Sequence, residues 1–253
     1  DEPTGENTRA PDNADHMRQH FLVFLTLSAL LAALFFFFPV LDLWTAARFY
    51  DPDRGFLISK TSSSKALPFL PWLTSFFVSG CWLVIAVNMV RSYFLGKKRP
   101  LVASNRSIIF LLLTLAIGPG LIVNVILKEH SGRARPFDVN EFGSNRHFTP
   151  AFVISDQCKS NCSFVSGDAS LGYFALAFFF VARRRRILIA SAAAVAGTLI
   201  GLVRMAQGAH FLSDVILSGV FTFLTGWLLY FLILHRWQIR HAVANECNHE
   251  KSL

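Results

Sequence analysis

An all-α bundle of membrane-crossing helices is the fold class this sequence predicts, and three observations predict it. Hydrophobic residues fill 53% of the 253 positions, 26 of them Phe, and mean hydropathy is +0.44, values foreign to a soluble globule. The apolar residues fall into six runs, at about 21–43, 69–95, 106–127, 166–182, 187–203 and 211–234, most of them long enough to cross a hydrocarbon core roughly 30 Å thick. The basic residues sit in short loops beside those runs, where they set orientation.

In chain order, residues 1–20 are polar, rich in Asp, Asn and Pro, and are expected to form a disordered cytoplasmic tail. The first run is too long for a signal-peptide core and has no small-residue cleavage site after it, so it reads as a retained helix. Run three contains Gly118-Pro119-Gly120, expected to kink it or admit a close neighbour. Runs four and five are at the lower length limit for a span. Gly197 and Gly201, four apart in run five, suit close helix packing.

Lys97-Lys98-Arg99 follows run two, Arg183 to Arg186 follow run four, and Arg236 and Arg240 follow run six. Six alternating helices put all three groups on one side, the cytoplasm, with both termini there. The loops at 44–68, 128–165 and 204–210 then lie outside, although Arg48, Arg54, Lys60 and Lys65 in the first go against the bias. The organisation is one membrane domain, 21–235, between an N-terminal tail and a C-terminal tail, 236–253. The net charge of +8 is accounted for by these anchors, so no nucleic-acid partner is expected. Trp44, Trp72, Trp82, Trp227 and Trp237 mostly fall near run ends and read as interface anchors.

Cys158 and Cys162 share the outer loop, where an oxidising compartment permits a disulfide; a bridge and two free thiols remain alternatives. Cys81, inside a run, and Cys247, in the inner tail, are poor partners.

The chemistry concentrates in three stretches. Lys128 is followed by six residues and Arg135-Pro136, Ser166-Gly167 opens run four, and Arg204 precedes His210 and Asp214. If residues 210–214 are helical, Asp214 can hold one imidazole nitrogen while the other faces a substrate. Lys128, Arg135 and Arg204 supply positive charge for phosphate oxygens, and the start of run four supplies free N–H groups and a helix dipole. The combination suits phosphoryl transfer.

These three stretches, in this order and spacing, resemble the signature of the type-2 phosphatidic acid phosphatase superfamily. The resemblance implies a six-helix membrane phosphatase that needs neither metal nor cofactor. It implies that His210 attacks phosphorus to form a phosphohistidine, that Asp214 supports it, and that Lys128, Arg135, Ser166, Gly167 and Arg204 hold the phosphate. Val165 and Val203 replace the Pro and Ser usual in the family. Asp168 stands where the family has a histidine that protonates the leaving group. A helix N-terminus among cations favours the carboxylate form of Asp168, whereas a bound phosphate dianion favours protonation. Helix capping is the structural reading of the same residue, and His130 is a further acid candidate.

A leaving group that needs little protonation points to lipid A 1-phosphate or an isoprenoid pyrophosphate. The Asn161–Gly167 stretch adds a likeness to lipid A phosphatases. The expected function is therefore hydrolysis of a lipid phosphate, best lipid A 1-phosphate, at the periplasmic face of a bacterial inner membrane, with membrane lipids as surroundings. The alternatives are an undecaprenyl-pyrophosphate or phosphatidylglycerophosphate phosphatase, a lipid phosphotransferase, and a non-catalytic lipid-binding or transport protein.

Overall fold

A computed structural model describes residues 9–58, 69–95, 104–182 and 184–235. Lys60, Lys65, Lys97 to Arg99, Arg183, Arg236, Arg240, Trp237 and Cys247 lie outside the described residues.

Helix α1 (Arg9–Phe37) reaches back into the polar stretch expected to be disordered. It ends before Pro39, whose ring and missing N–H interrupt a helical ladder. The chain restarts as α2 (Val40–Ala47), bent by 79° from the preceding helix. The first apolar run is thus a broken helix, not the single one expected. A two-stranded hairpin follows, β1 (Tyr50–Asp51) and β2 (Gly55–Phe56), its turn closed by Asp51 Oδ1 accepting from the N–H groups of Asp53 and Arg54.

Helix α3 (Phe69–Leu95) is tied to the next helix through Asn88 and Asn105, 2.8 Å apart. Helix α4 (Asn105–His130) is capped by Ser104, whose Oγ accepts from Ser107 N–H. No sharp break occurs at Gly118-Pro119-Gly120. The chain winds as a π-helix over Ala116–Leu127, and Asn124 Nδ2 donates to the Pro119 carbonyl at 2.7 Å, so wider winding and one side chain absorb the proline.

Helix α5 (Gly167–Val181) passes through a tight 3-10 turn at Phe174–Ala177. Helices α6 (Arg186–Ala206) and α7 (Leu212–His235) complete the order. The glycine reading of α6 is confirmed: a Cβ on Gly197 would lie 2.4 Å from a Tyr173 ring carbon, and one on Gly201 2.1 Å from Val215 Cγ1. The small face of α6 therefore lets α5 and α7 approach closely.

Among the described residues, α4, α6 and α7 are long and apolar enough to cross a membrane, and the bent α1–α2 pair makes a fourth. Large apolar side chains face outward along them, among them Leu30, Phe37, Ile187, Leu199 and Leu228, as a lipid-facing surface requires. Trp44, Trp72 and Trp82 are exposed, but Trp227 is only 8% exposed. It packs against Phe21, Phe24 and Phe223; it is a core residue, not the interface anchor expected, because the contact of α1 with α7 covers it.

Candidate active site

The site forms where α2, the 131–165 segment and the ends of α5, α6 and α7 meet. Gly208, at φ +63°, ends α6 in the left-handed conformation, and a Cβ there would strike the Phe56 ring at 2.5 Å. The turn brings His210 to the start of α7, two residues outside the helix. At the third helical position, Asp214 Oδ2 accepts the Phe211 N–H at 2.8 Å, closing the N-terminus.

His210 is 1% exposed. Its Nδ1 lies 2.8 Å from the Ser163 carbonyl oxygen but 3.8 Å from Asp214 Oδ2. Because His210 precedes the helix, the expected i,i+4 pair with Asp214 is kept as a longer contact. Ser163 bridges the two. Its hydroxyl donates to Asp214 Oδ2 and its carbonyl accepts from His210 Nδ1. A carbonyl cannot donate, so this contact fixes the proton on Nδ1 and leaves the lone pair on Nε2, a buried atom without a hydrogen-bond partner. Burial, reinforced by the charges of Arg135 and Lys128, pushes His210 down to about 4 against the pull of Asp214.

A pH dependence follows. The ring is protonated, and its nucleophilicity lost, only as pH falls through that lowered value. We expect kcat/KM to show no loss from His210 near its usual pKa of about 6.5, and an acid limb below about pH 5. The unfolded ring takes up its proton first, so this group's contribution to stability is present above about pH 6.5 and fades as pH falls towards about 4. Rate and melting profiles between pH 4 and 8 check both.

Asp214 is fully buried and paired with a residue that the motif reading passed over. Arg133, 1% exposed, donates from Nη1 to Asp214 Oδ1 at 2.7 Å and to Ser213 Oγ at 2.8 Å. Its Nη2 reaches Asp42 Oδ2 at 2.7 Å and its Nε the Thr149 carbonyl at 2.8 Å. The rings of Phe211 and Phe148 flank the guanidinium at 4.5 and 5.4 Å. Asp42 was equally unforeseen, although a carboxylate at the end of an apolar run was the available signal.

The predicted phosphate-binding residues gather beside His210. Lys128 is electrostatically coupled to Arg135, Arg204 and Asp168. Burial and the nearby charge of Arg204 lower the pKa of Arg135, against the pull of Asp214, Asp138 and Asp168. Arg135 Nη2 and Nε donate to the Asn161 carbonyl, and Nη2 also to Asn161 Oδ1. Ser166 is the N-cap of α5, its Oγ accepting from Ala169 N–H at 3.4 Å. The tight approach of α4 dictates Gly167, where a Cβ would lie 2.4 Å from Asn124 Oδ1.

Asp168 Oδ2 is 2.9 Å from Arg204 Nε; it sits in the first turn of α5 but the cap itself is Ser166. His130 stands on the exposed end of α4 with Nδ1 against the Ile126 carbonyl. Cys158 and Cys162 form a disulfide in the loop that carries Asn161. Among the described residues no group of three or more His, Cys, Asp or Glu is arranged to hold a metal.

A bundle of apolar helices with a buried, proton-fixed histidine beside three cations defines a membrane protein built to transfer a group from an anionic substrate. The chain belongs to the PAP2 superfamily, whose family model matches residues 108–238. It is 37% identical over 221 residues to a lipid A 4'-phosphatase of Francisella tularensis subsp. novicida, covering 87% of this chain and 98% of the relative. A lipid A 4'-phosphatase of Rhizobium leguminosarum is 45% identical over 106 residues, covering 42% and 46% of the two chains. A PAP2-type phosphatidylglycerolphosphate phosphatase from Bacillus subtilis is similar in structure, with TM-score 0.41, 20% identity and coverage of 86% of this chain and 95% of that one. The chain is thus a membrane phosphatase of the PAP2 superfamily.

Proposed function

We propose that this protein removes the 4'-phosphate of lipid A at the periplasmic face of a bacterial inner membrane, through a phosphohistidine on His210, with six spans and both termini in the cytoplasm. The observation that carries the reading is the His210 ring. Nδ1 is committed to the Ser163 carbonyl, Nε2 is buried and unpartnered, and Lys128 and Arg135 are close enough to act on it. A neutral imidazole fixed in one tautomer beside cations is an activated nucleophile for phosphorus.

The Nε2 lone pair forms the N–P bond as the P–O bond to the lipid breaks. The leaving oxygen takes a proton from Asp168. Water then attacks phosphorus and gives its proton back to the Asp168 carboxylate, the N–P electrons return to Nε2, and inorganic phosphate leaves. Lys128, Arg135 and Arg204 neutralise the phosphoryl oxygens throughout.

The 4'-position is favoured over the 1-position by the named activities of the relatives. A 1-phosphate can leave with little protonation, whereas a 4'-phosphate on a sugar alcohol requires a proton donor. Asp168 Oδ2 pairs with Arg204 Nε at 2.9 Å. Incoming phosphate competes for Arg204 and releases Asp168 beside the leaving oxygen, where we assign it the role of acid. A polar cleft of about 610 Å³, lined by Arg135, Arg146, Lys159, Asp138 and Asp156 among others, has the mixed charge suited to a phosphorylated sugar head group.

Asp168→His is expected to retain or raise phosphate release from a simple lipid phosphate such as phosphatidic acid, because one acid replaces another. A large drop in a folded protein would give Asp168 a different role. The reading itself is tested by phosphate release from lipid A, phosphatidic acid, phosphatidylglycerophosphate and undecaprenyl pyrophosphate, with mass spectrometry locating the phosphate lost. Lipid A losing its 4'-phosphate, at a rate indifferent to chelators, is expected; loss from the 1-position or preference for another lipid contradicts it.

A further inference from the structure

We infer that Asp42 is a positioning residue for His210: by neutralising Arg133 it leaves one negative charge in the buried cluster to balance the positive charge that the imidazole acquires on phosphorylation. The inference rests on the phosphohistidine reading above. It concerns a residue contributed by α2, outside the stretch that matches the family model.

Asp42, Arg133 and Asp214 are each no more than 1% exposed. Among the described residues, each hydrogen bond to the Asp42 carboxyl is donated to it. Arg133 Nη2 and Ser213 Oγ approach Oδ2 at 2.7 and 2.6 Å, and Ser213 N–H approaches Oδ1 at 2.8 Å. The Ser213 hydroxyl oxygen meanwhile accepts from Arg133 Nη1, so its own proton is committed to Asp42. An oxygen pair that only accepts is a carboxylate. Asp214 likewise accepts from Arg133, Ser163 Oγ and Phe211 N–H. Two carboxylates against one guanidinium leave one unit of negative charge.

That surplus faces His210, whose Nδ1 is 3.8 Å from Asp214 Oδ2. When Nε2 bonds to phosphorus while Nδ1 keeps its proton, the ring becomes cationic at a position only 1% exposed. Were Arg133 paired with Asp214 alone, the pair would be neutral and the new charge uncompensated. Lys128, Arg135 and Arg204 cannot compensate, since they are cations matched to the substrate phosphate. The 79° bend between α1 and α2 thus delivers the carboxylate that sets the charge of the cluster.

A double-mutant cycle tests this. Asp42→Asn keeps the shape but makes the cluster neutral, and kcat should fall by about tenfold or more, with KM and inhibition by orthovanadate near wild type because the phosphate cations are untouched. Adding Arg133→Gln restores one negative charge, so the double variant should turn over several-fold faster than Asp42→Asn alone. A network that merely holds the fold gives the opposite order, each change weakening the protein further. Wild-type kcat in Asp42→Asn, or a folded, vanadate-binding double variant no faster than the single, overturns the inference. Should Asp42→Asn not fold, the double variant decides: kcat within about tenfold of wild type is expected, and a lower value overturns it. The wild-type rate, measured alongside, tests the phosphatase reading separately.

Discussion

Replacing His210 by Ala is expected to abolish turnover, with a loss of roughly a thousandfold or more in kcat, while the protein still folds and still binds orthovanadate competitively. The fold does not depend on this ring. Its Nδ1 donates to the Ser163 carbonyl, and Ser163 remains held by Asp214 through its hydroxyl. The anion site also survives, because Lys128, Arg135 and Arg204 belong to α4, the following loop and α6. Phosphate release against lipid A, together with vanadate displacement, separates loss of the nucleophile from loss of the site. A variant retaining more than a few per cent of the activity would remove His210 from the chemistry.

Replacing Arg133 by Ala has the largest expected effect on stability, about 3–5 kcal/mol. Removing the guanidinium leaves Asp42 and Asp214 buried as unpaired carboxylates and strips the Thr149 carbonyl and Ser213 hydroxyl of donors. Arg133→Lys recovers little of this. A single ammonium cannot reproduce contacts made from Nε, Nη1 and Nη2 in different directions. Thermal unfolding of the purified variants in detergent reads the difference, and a melting temperature near wild type for Arg133→Ala would contradict the structural account. Arg133→Gln in the wild-type background falls between the two, since its amide can still donate to one carboxylate.

Much of the bundle was legible because apolar runs and their punctuation are local. Run limits near 69–95, 106–127 and 187–203 fall close to α3, α4 and α6. What escaped was set by tertiary packing. The α1–α2 break falls at Pro39, but the course of α2 after it goes with the contacts of Asp42 to Ser213 and Arg133, and the π-helical winding after Leu115 is accompanied by the Asn124 side chain reaching Pro119. Trp227 looked like an anchor because it lies near a run end, but its exposure depends on α1. In the site, the three motifs named the residues that gather around His210. They did not show how Asp214 reaches it, since the mediator is a backbone carbonyl of Ser163 and any residue type supplies a carbonyl. Arg133 lay inside the first motif, hidden among other loop cations. Asp42 meets Ser213 across 171 positions, a separation at which periodicity and spacing carry no signal.

Across these findings one claim is central: phosphorus is transferred to His210 Nε2 before water takes it. Rapid mixing of the wild-type protein with lipid A labelled in its phosphate, an alkaline quench that preserves phosphoramidates, and peptide mapping test it directly. The account predicts label on the peptide containing His210, appearing and decaying at rates compatible with turnover, and absent from His210→Ala. Label on another residue, or full turnover with no labelled protein at any time, would contradict it.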